Sequence, residues 1–155
     1  MDQPALESYL AERIPILRTM GVRVEEVSRE AASLSFPLAP NVNDKGTAFG
    51  GSLAAGAIVT GYGFVLAQLR SEGGLAKSEL VVAREQSRFL RPVKGDFLTR
   101  ARIDEKAKYG DLAGFLTGLK REGRGRIDLI LEVFDSEGVL CFDARARFAG
   151  YSPKN

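Results

Sequence analysis

Apolar residues first recur at helical spacing. Leu6, Leu10, Ile14 and Leu17 form one stripe, Pro15 interrupts or restarts the helix, and Gly21 is a natural stop. Residues 22–28 read as a first strand. Residues 32–38 read as a second, with Leu34, Phe36 and Leu38 on one face, Ser33 and Ser35 on the other, and Pro37 and Pro40 closing it. A polar loop, 41–51, leads into an uncharged helix over about residues 51–70. That helix is about 30 Å long at 1.5 Å per residue. Its internal glycines each cost about 1 kcal/mol relative to alanine, so it needs tertiary packing, and they let other backbones approach closely. Strands are expected over 79–92 and 96–105. Leu112, Phe115, Leu116 and Leu119 then give an amphipathic helix, with Asp111 as cap and Gly123 as stop. Ile127, Leu129, Leu131 and Val133, and after the 135–138 turn Phe142, Ala144, Ala146 and Phe148, alternate with charged residues as a hairpin with one wet face. This order predicts one α+β domain over residues 1–155, an antiparallel sheet curled around a long central helix. No internal repeat, low-complexity segment or linker breaks it.

Composition narrows the chemistry. The chain has 155 residues, one cysteine (Cys141), no histidine and a formal charge of +2. Without histidine there is no Ser-His or Cys-His pair, and one cysteine cannot hold a metal alone, so neither a metal nor a cofactor is expected. The near-neutral charge and the scarcity of aromatics among the basic residues argue against a nucleic-acid partner. The polar start of the chain lacks the basic-then-apolar order of a secretory signal, and a cytoplasmic location is the expectation. Residues 46–69 carry no charge and are long enough to cross a bilayer, which opens a membrane-protein reading. The charged, sheet-like alternation after Arg70 favours a buried core helix instead.

The segment from Pro40 to Leu53, Pro-Asn-Val-Asn-Asp-Lys-Gly-Thr-Ala-Phe-Gly-Gly-Ser-Leu, resembles the loop-to-helix motif of hotdog-fold thioesterases. It is most similar to the thioesterase domain found fused behind bacterial acetyltransferase domains; no acetyltransferase segment is present here. Phe89-Leu90-Arg91-Pro92-Val93 with Gly95-Asp96, Gly123-Arg124, and Phe148-Ala149-Gly150-Tyr151 extend the resemblance over nearly the whole chain. It implies a hotdog fold, hydrolysis of acyl-CoA or acyl-phosphopantetheine, a role in fatty acid metabolism, and a site built between subunits of a homodimer or tetramer. Two positions depart from the pattern. Phe49 stands where many such enzymes have histidine, and the place of a helix carboxylate falls on Ile58, beside Val59 and Thr60. The histidine-dependent dehydratases of this fold are thereby excluded.

Thioester hydrolysis needs oxyanion stabilisation and an activated water. Gly50 and Gly51 leave a carbonyl room to approach the amides of the helix start. Asp44, the only carboxylate between Ala31 and Ser71, is the candidate base, with Asn43 and Asn41 able to hold the water. The bland alternative for Asp44 is an exposed turn residue. Thr47 and Ser52 are available to cap the helix. Glu85 is a second carboxylate whose face the sequence leaves open. Between Arg84 and Arg126, twelve Lys or Arg stand against six Asp or Glu. Arg91, Lys94, Lys120, Arg121, Arg124 and Arg126 are candidates to meet the phosphates of a coenzyme A or phosphopantetheine arm. The candidate substrate-binding set is therefore Asn41, Thr47, Phe49, Ser52, Glu85, Arg91, Lys94 and Arg124. A catalytically silent acyl-ligand-binding hotdog protein is the alternative.

Overall fold

A computed structural model describes residues 1–153. Two short helices, α1 (Gln3–Arg13) and α2 (Ile16–Met20), open the chain, the second closed by Gly21 at φ 74°. Strands β1 (Arg23–Val27) and β2 (Ala31–Phe36) follow, then a single 3₁₀ turn (Ala39–Asn41) and the long helix α3 (Gly50–Ser71). Beyond it come β3 (Glu79–Phe89), β4 (Phe97–Ile103), α4 (Leu112–Glu122), β5 (Arg124–Phe134) and β6 (Leu140–Tyr151). The strands form one antiparallel sheet in the order β1-β2-β4-β5-β6-β3. The expected α+β arrangement of a sheet around a central helix is therefore present.

Register fixes what each strand turns toward α3. Directly opposed residues of an antiparallel pair share a face. Val133, Leu131, Leu129 and Ile127 oppose Phe142, Ala144, Ala146 and Phe148, and all eight are buried against the helix. Thr99 and Ala101 on β4 and Leu34 and Phe36 on β2 continue this face. On α3, 72% of the most apolar window is buried, so the stretch long enough to span a membrane is the core helix of this fold. Gly56 and Gly61 admit side chains of the sheet rather than other backbones. A Cβ on Gly61 would lie 2.8 Å from the Phe148 ring, and one on Gly56 3.1 Å from Phe36. Thr60, the polar exception in this packing, donates to the Gly56 carbonyl at 2.7 Å and shares a hydrogen bond with Thr99.

The opposite face is charged, as the hairpin pattern predicts. Asp128 is its least exposed carboxylate, gripped by Arg147 through two hydrogen bonds of 2.7 and 3.0 Å, with the guanidinium 4.5 Å from the Tyr109 ring. Burial alone would raise the Asp128 pKa; Arg147 and the Tyr109 N–H outweigh it and hold the carboxyl below its ordinary range. Helix α4 is capped as expected, with Asp111 accepting from the Ala113 and Gly114 N–H groups and Gly123 ending it at φ 73°. Several strands end short of the sequence reading, β4 at Ile103 rather than 105 and two more for a visible reason. Strand β2 stops at Phe36 because Pro37 has no N–H to donate, so Leu38 leaves the strand face. Strand β3 stops at Phe89 because the Leu90 and Arg91 N–H groups both turn to the Cys141 carbonyl.

The two sheet edges differ. On β1, the Val24 N–H donates to Glu7 at 2.7 Å and the Glu25 carbonyl accepts from Gln3, so side chains of α1 occupy that edge. Among the described residues strand β3 pairs only with β6, and Val81, Val82 and Phe89 are exposed along it.

Candidate active site

The loop before α3 is a tight turn built by one amide. Asn43 Oδ1 accepts from the Lys45 and Thr47 N–H groups, and its Nδ2 donates to Thr47 Oγ1 at 2.9 Å. Gly46 at φ 77° completes the turn and donates to the Asn43 carbonyl. Asp44 and Lys45 stand at the tip, paired with each other at 3.3 Å, and the Asp44 side chain is 82% exposed. Asn41 is 2% exposed; its Nδ2 ties the Met20 and Pro37 carbonyls together at 2.8 Å each, and its carbonyl accepts from the Phe49 N–H. Asn41, Asn43 and Thr47 therefore shape the loop that delivers the chain to the helix.

Helix α3 begins without a side-chain cap. Its N-cap is Phe49, extended at φ −61°, ψ 131°, so Thr47 and Ser52 do not cap it as the sequence suggested. The reason is geometric: Thr47 Oγ1 is engaged by Asn43, and Ser52 already lies inside the first turn, its N–H bonded to the Phe49 carbonyl at 2.9 Å. The Gly50 and Gly51 N–H groups have no acceptor among the described residues. No acidic residue occupies the first turn to neutralise the positive end of the helix dipole. Gly50 lines a groove of about 290 Å³ together with Ala48, Leu53, Phe89, Arg91 and Pro92. A Cβ on Gly50 would meet the Phe89 ring at 3.2 Å, and one on Gly51 would collide with the Phe49 ring; both rings are more than half exposed.

A second, apolar groove of about 350 Å³ lies against α3 farther along the helix. Ala55, Ile58, Val59 and Tyr62, at helical spacing, form one wall; Ile14, Ile16 and Leu17 form another; Val82 and Phe148 supply the sheet side. The sequence reading missed this wall, although its i, i+3, i+4, i+7 spacing was visible. Burial first, then the neighbouring Tyr9 hydroxyl, push the Tyr62 pKa up to about 12, so it is a neutral hydroxyl. Cys141 is buried, and burial followed by the Asp135 carboxylate pushes its thiol up, which leaves no thiolate nucleophile.

Register settles the face of Glu85. It opposes Ala146, as Ser87 opposes Ala144, Phe89 opposes Phe142 and Val82 opposes Phe148, so all four point to the α3 side. Glu85 Oε1 is buried and has no hydrogen-bond partner among the described residues. The basic candidates separate. Arg91 lines the helix-start groove, and Lys94 joins it in the adjoining hollow beside Asp135 and Glu137. Arg124 opposes Tyr151, nine positions along β6 from the Phe142 that faces Phe89, or about 30 Å at the rise of a strand, so one chain does not bring it to Arg91. Lys120 and Arg121 lie near that far end, where Lys120 pairs with Glu72, while Arg126 donates to the Tyr109 hydroxyl. No group of three or more His, Cys, Asp or Glu that could hold a metal occurs among the described residues.

Comparison with known proteins agrees with this fold. A family model described as "Putative thioesterase (yiiD_Cterm)" matches residues 3–151. A protein of unknown function from Chlorobaculum tepidum is similar at 26% identity and TM-score 0.84, over 97% of this chain and 94% of that one. A structure described as a "putative thioesterase", from Shewanella oneidensis, is similar at 25% identity and TM-score 0.79, over 97% of each chain. A Pseudomonas aeruginosa protein at 24% identity, TM-score 0.81, covering 99% of this chain and 97% of that one, shares the fold.

Proposed function

Because the chain belongs to the family described as "Putative thioesterase (yiiD_Cterm)", matched over residues 3–151, we propose that it hydrolyses acyl thioesters of coenzyme A or of a carrier-protein phosphopantetheine arm. The observation that carries this reading is the uncapped start of α3, where the Gly50 and Gly51 N–H groups have no acceptor among the described residues and Gly50 lines an open groove. The thioester oxygen accepts from Gly50 and Gly51, and the helix dipole favours the charge that develops on it. Water activated by a carboxylate, Asp44 or Glu85, attacks the carbonyl carbon; the tetrahedral intermediate collapses, the C–S bond breaks and the thiol departs. The acyl chain follows α3 toward Ala55, Ile58 and Tyr62. From Gly51 to Tyr62 the helix rises about 16 Å, which suits a medium-length saturated chain. Arg91 and Lys94 are the basic residues near enough to meet a phosphate of the carrier arm.

The unpartnered β3 edge supports a homo-oligomer, because an 11-residue strand with free N–H and C=O groups invites pairing with a second copy. A cytoplasmic setting suits the single buried cysteine. The test is thiol release from saturated acyl-CoAs of increasing length by the purified protein. Saturable release supports hydrolysis. Calorimetric binding without release supports the silent acyl-binding alternative, which the absence of any carboxylate on α3 before Glu72 favours.

A further inference from the structure

On the face of the sheet turned away from α3, a hollow of about 600 Å³ lies between β4, β6 and the chain that leaves β4. Register builds it. Arg102 on β4 and Arg145 on β6 both oppose Ile130, one from each side, so their stems rise about 10 Å apart with the isoleucine between them. Leu129 and Leu131 turn to α3, which puts Ile130 on the outer face, yet it is only 8% exposed. Arg100, two residues back on β4, shares that face. The hollow therefore has an apolar floor under a rim of guanidinium groups.

Charge pairing on that rim is incomplete. Elsewhere on the same face, Arg88 and Arg147 each hold one carboxylate, Asp143 and Asp128, through two hydrogen bonds. At the hollow, Arg102 takes Glu132 through one nitrogen at 3.2 Å, although the residue directly opposite Glu132 on β4 is Arg100. Arg145 approaches Asp104 only to 3.6 Å and stays 64% exposed. Arg100, Arg29 and Lys106 have no carboxylate within 4 Å among the described residues. With Glu30 and Glu105, both exposed, the lining holds five cations against three carboxylates. Like charges gathered on one rim repel, and an anion among them relieves that repulsion.

We propose that this hollow binds a phosphate monoester that carries an apolar group on its ester oxygen. The excess of two positive charges matches a phosphate, which bears about −1.5 to −2 at pH 7. Its three free oxygens accept from guanidinium forks on several sides at once, which a carboxylate with two oxygens does less well. Arg102 and Arg145 flank the floor and Arg100 stands beside them, so the three close on one phosphate while the apolar group rests on Ile130. The sheet separates the hollow from α3. Its occupant is therefore distinct from a thioester at the Gly50 amides, and binds whether or not the protein is a hydrolase.

The probe is phenyl phosphate, titrated by calorimetry into the wild-type protein at low salt. One saturable site is expected, with inorganic phosphate binding more weakly and phenol not at all. Arg100→Gln and Arg145→Gln, shown to be folded by thermal melts, are each expected to weaken binding about tenfold or more, the scale of one lost charge-assisted hydrogen bond. Arg88→Gln removes the same charge from the same face and is expected to stay within about twofold of wild type, because Arg88 is already satisfied by Asp143. In ¹⁵N-labelled wild-type protein the amides of residues 100–106 and of Ile130 are expected to shift, and those of Gly50 and Arg91 to stay. Binding in solution alone assigns the phosphate to a soluble ester; sedimentation with phosphatidate vesicles that Arg100→Gln abolishes assigns it to a lipid headgroup. Absence of binding at millimolar phenyl phosphate, an equal loss in Arg88→Gln, amide shifts confined to the helix-start groove, or inorganic phosphate binding as tightly as the ester each overturns the site.

Discussion

Gly50→Pro is the most informative single change, because its effects on stability and on turnover separate. Gly50 is the first residue of α3, and its N–H has no partner to lose. Proline is well tolerated at that position, and the residue before it must be extended, as Phe49 is at φ −61°, ψ 131°. The added Cβ meets the Phe89 ring at 3.2 Å; that ring is 60% exposed and can shift by a few tenths of an ångström. The stability change is therefore expected within about 1 kcal/mol. Catalysis loses one of two oxyanion donors, worth about 3 kcal/mol of barrier and 10²–10³ in kcat. The substrate carbonyl is held less tightly than the oxyanion, so KM changes little. Gly50→Ala is the control. It adds the same Cβ contact but keeps the N–H, and is expected to turn over well above the rate of the proline variant. The assay is kcat and KM by thiol detection on all three proteins, with thermal melts. A folded Gly50→Pro protein at wild-type kcat, or a Gly50→Ala protein as slow as the proline variant, refutes the amide's role.

Further outcomes follow from the packing and the charges. Ala55→Trp fills the apolar groove and is expected to cut kcat/KM on the longest acyl-CoAs about tenfold or more while sparing acetyl-CoA; a uniform loss across chain lengths counts against the acyl path. Gly61→Ala forces a Cβ to 2.8 Å from Phe148 and is expected to lower stability by about 1–3 kcal/mol in urea melts. Asp128 has its pKa depressed in the fold, so its contribution is present above the unfolded value and lost as pH falls through the folded one. Asp128→Asn should cost about 2 kcal/mol at pH 7 and flatten the acid limb of stability below about pH 4, measured by denaturant titration across pH.

Local chemistry made part of this molecule legible. The Asp111 cap, the Gly21 and Gly123 stops and the β5–β6 hairpin each depend on neighbours a few residues apart, and the structure has them as the sequence implies. The uncharged stretch before Arg70 was readable as a core helix because charged alternation follows it. The candidate site was less legible. Which way Glu85 points depends on its pairing with Ala146, some sixty residues away, and on a bulge at Ala83 that no local pattern announces. Arg91 and Arg124 look alike in sequence, and only strand register shows that they lie at opposite ends of the sheet. Thr47 and Ser52 are good caps by composition, yet Asn43 takes the first and the helix start leaves the second inside its turn. That uncapped start is the feature on which the proposed function rests.

The central claim, that a thioester carbonyl sits on the Gly50 and Gly51 amides, is tested most directly by infrared spectroscopy of a bound acyl-CoA analogue. In this analogue a methylene replaces the sulfur, so the carbonyl, labelled with ¹³C, cannot be hydrolysed. The predicted result is a carbonyl band moved to lower wavenumber on binding wild-type protein, with the shift reduced on Gly50→Pro and retained on Gly50→Ala. A bound analogue whose carbonyl band is unshifted, or equally shifted in all three proteins, contradicts the claim.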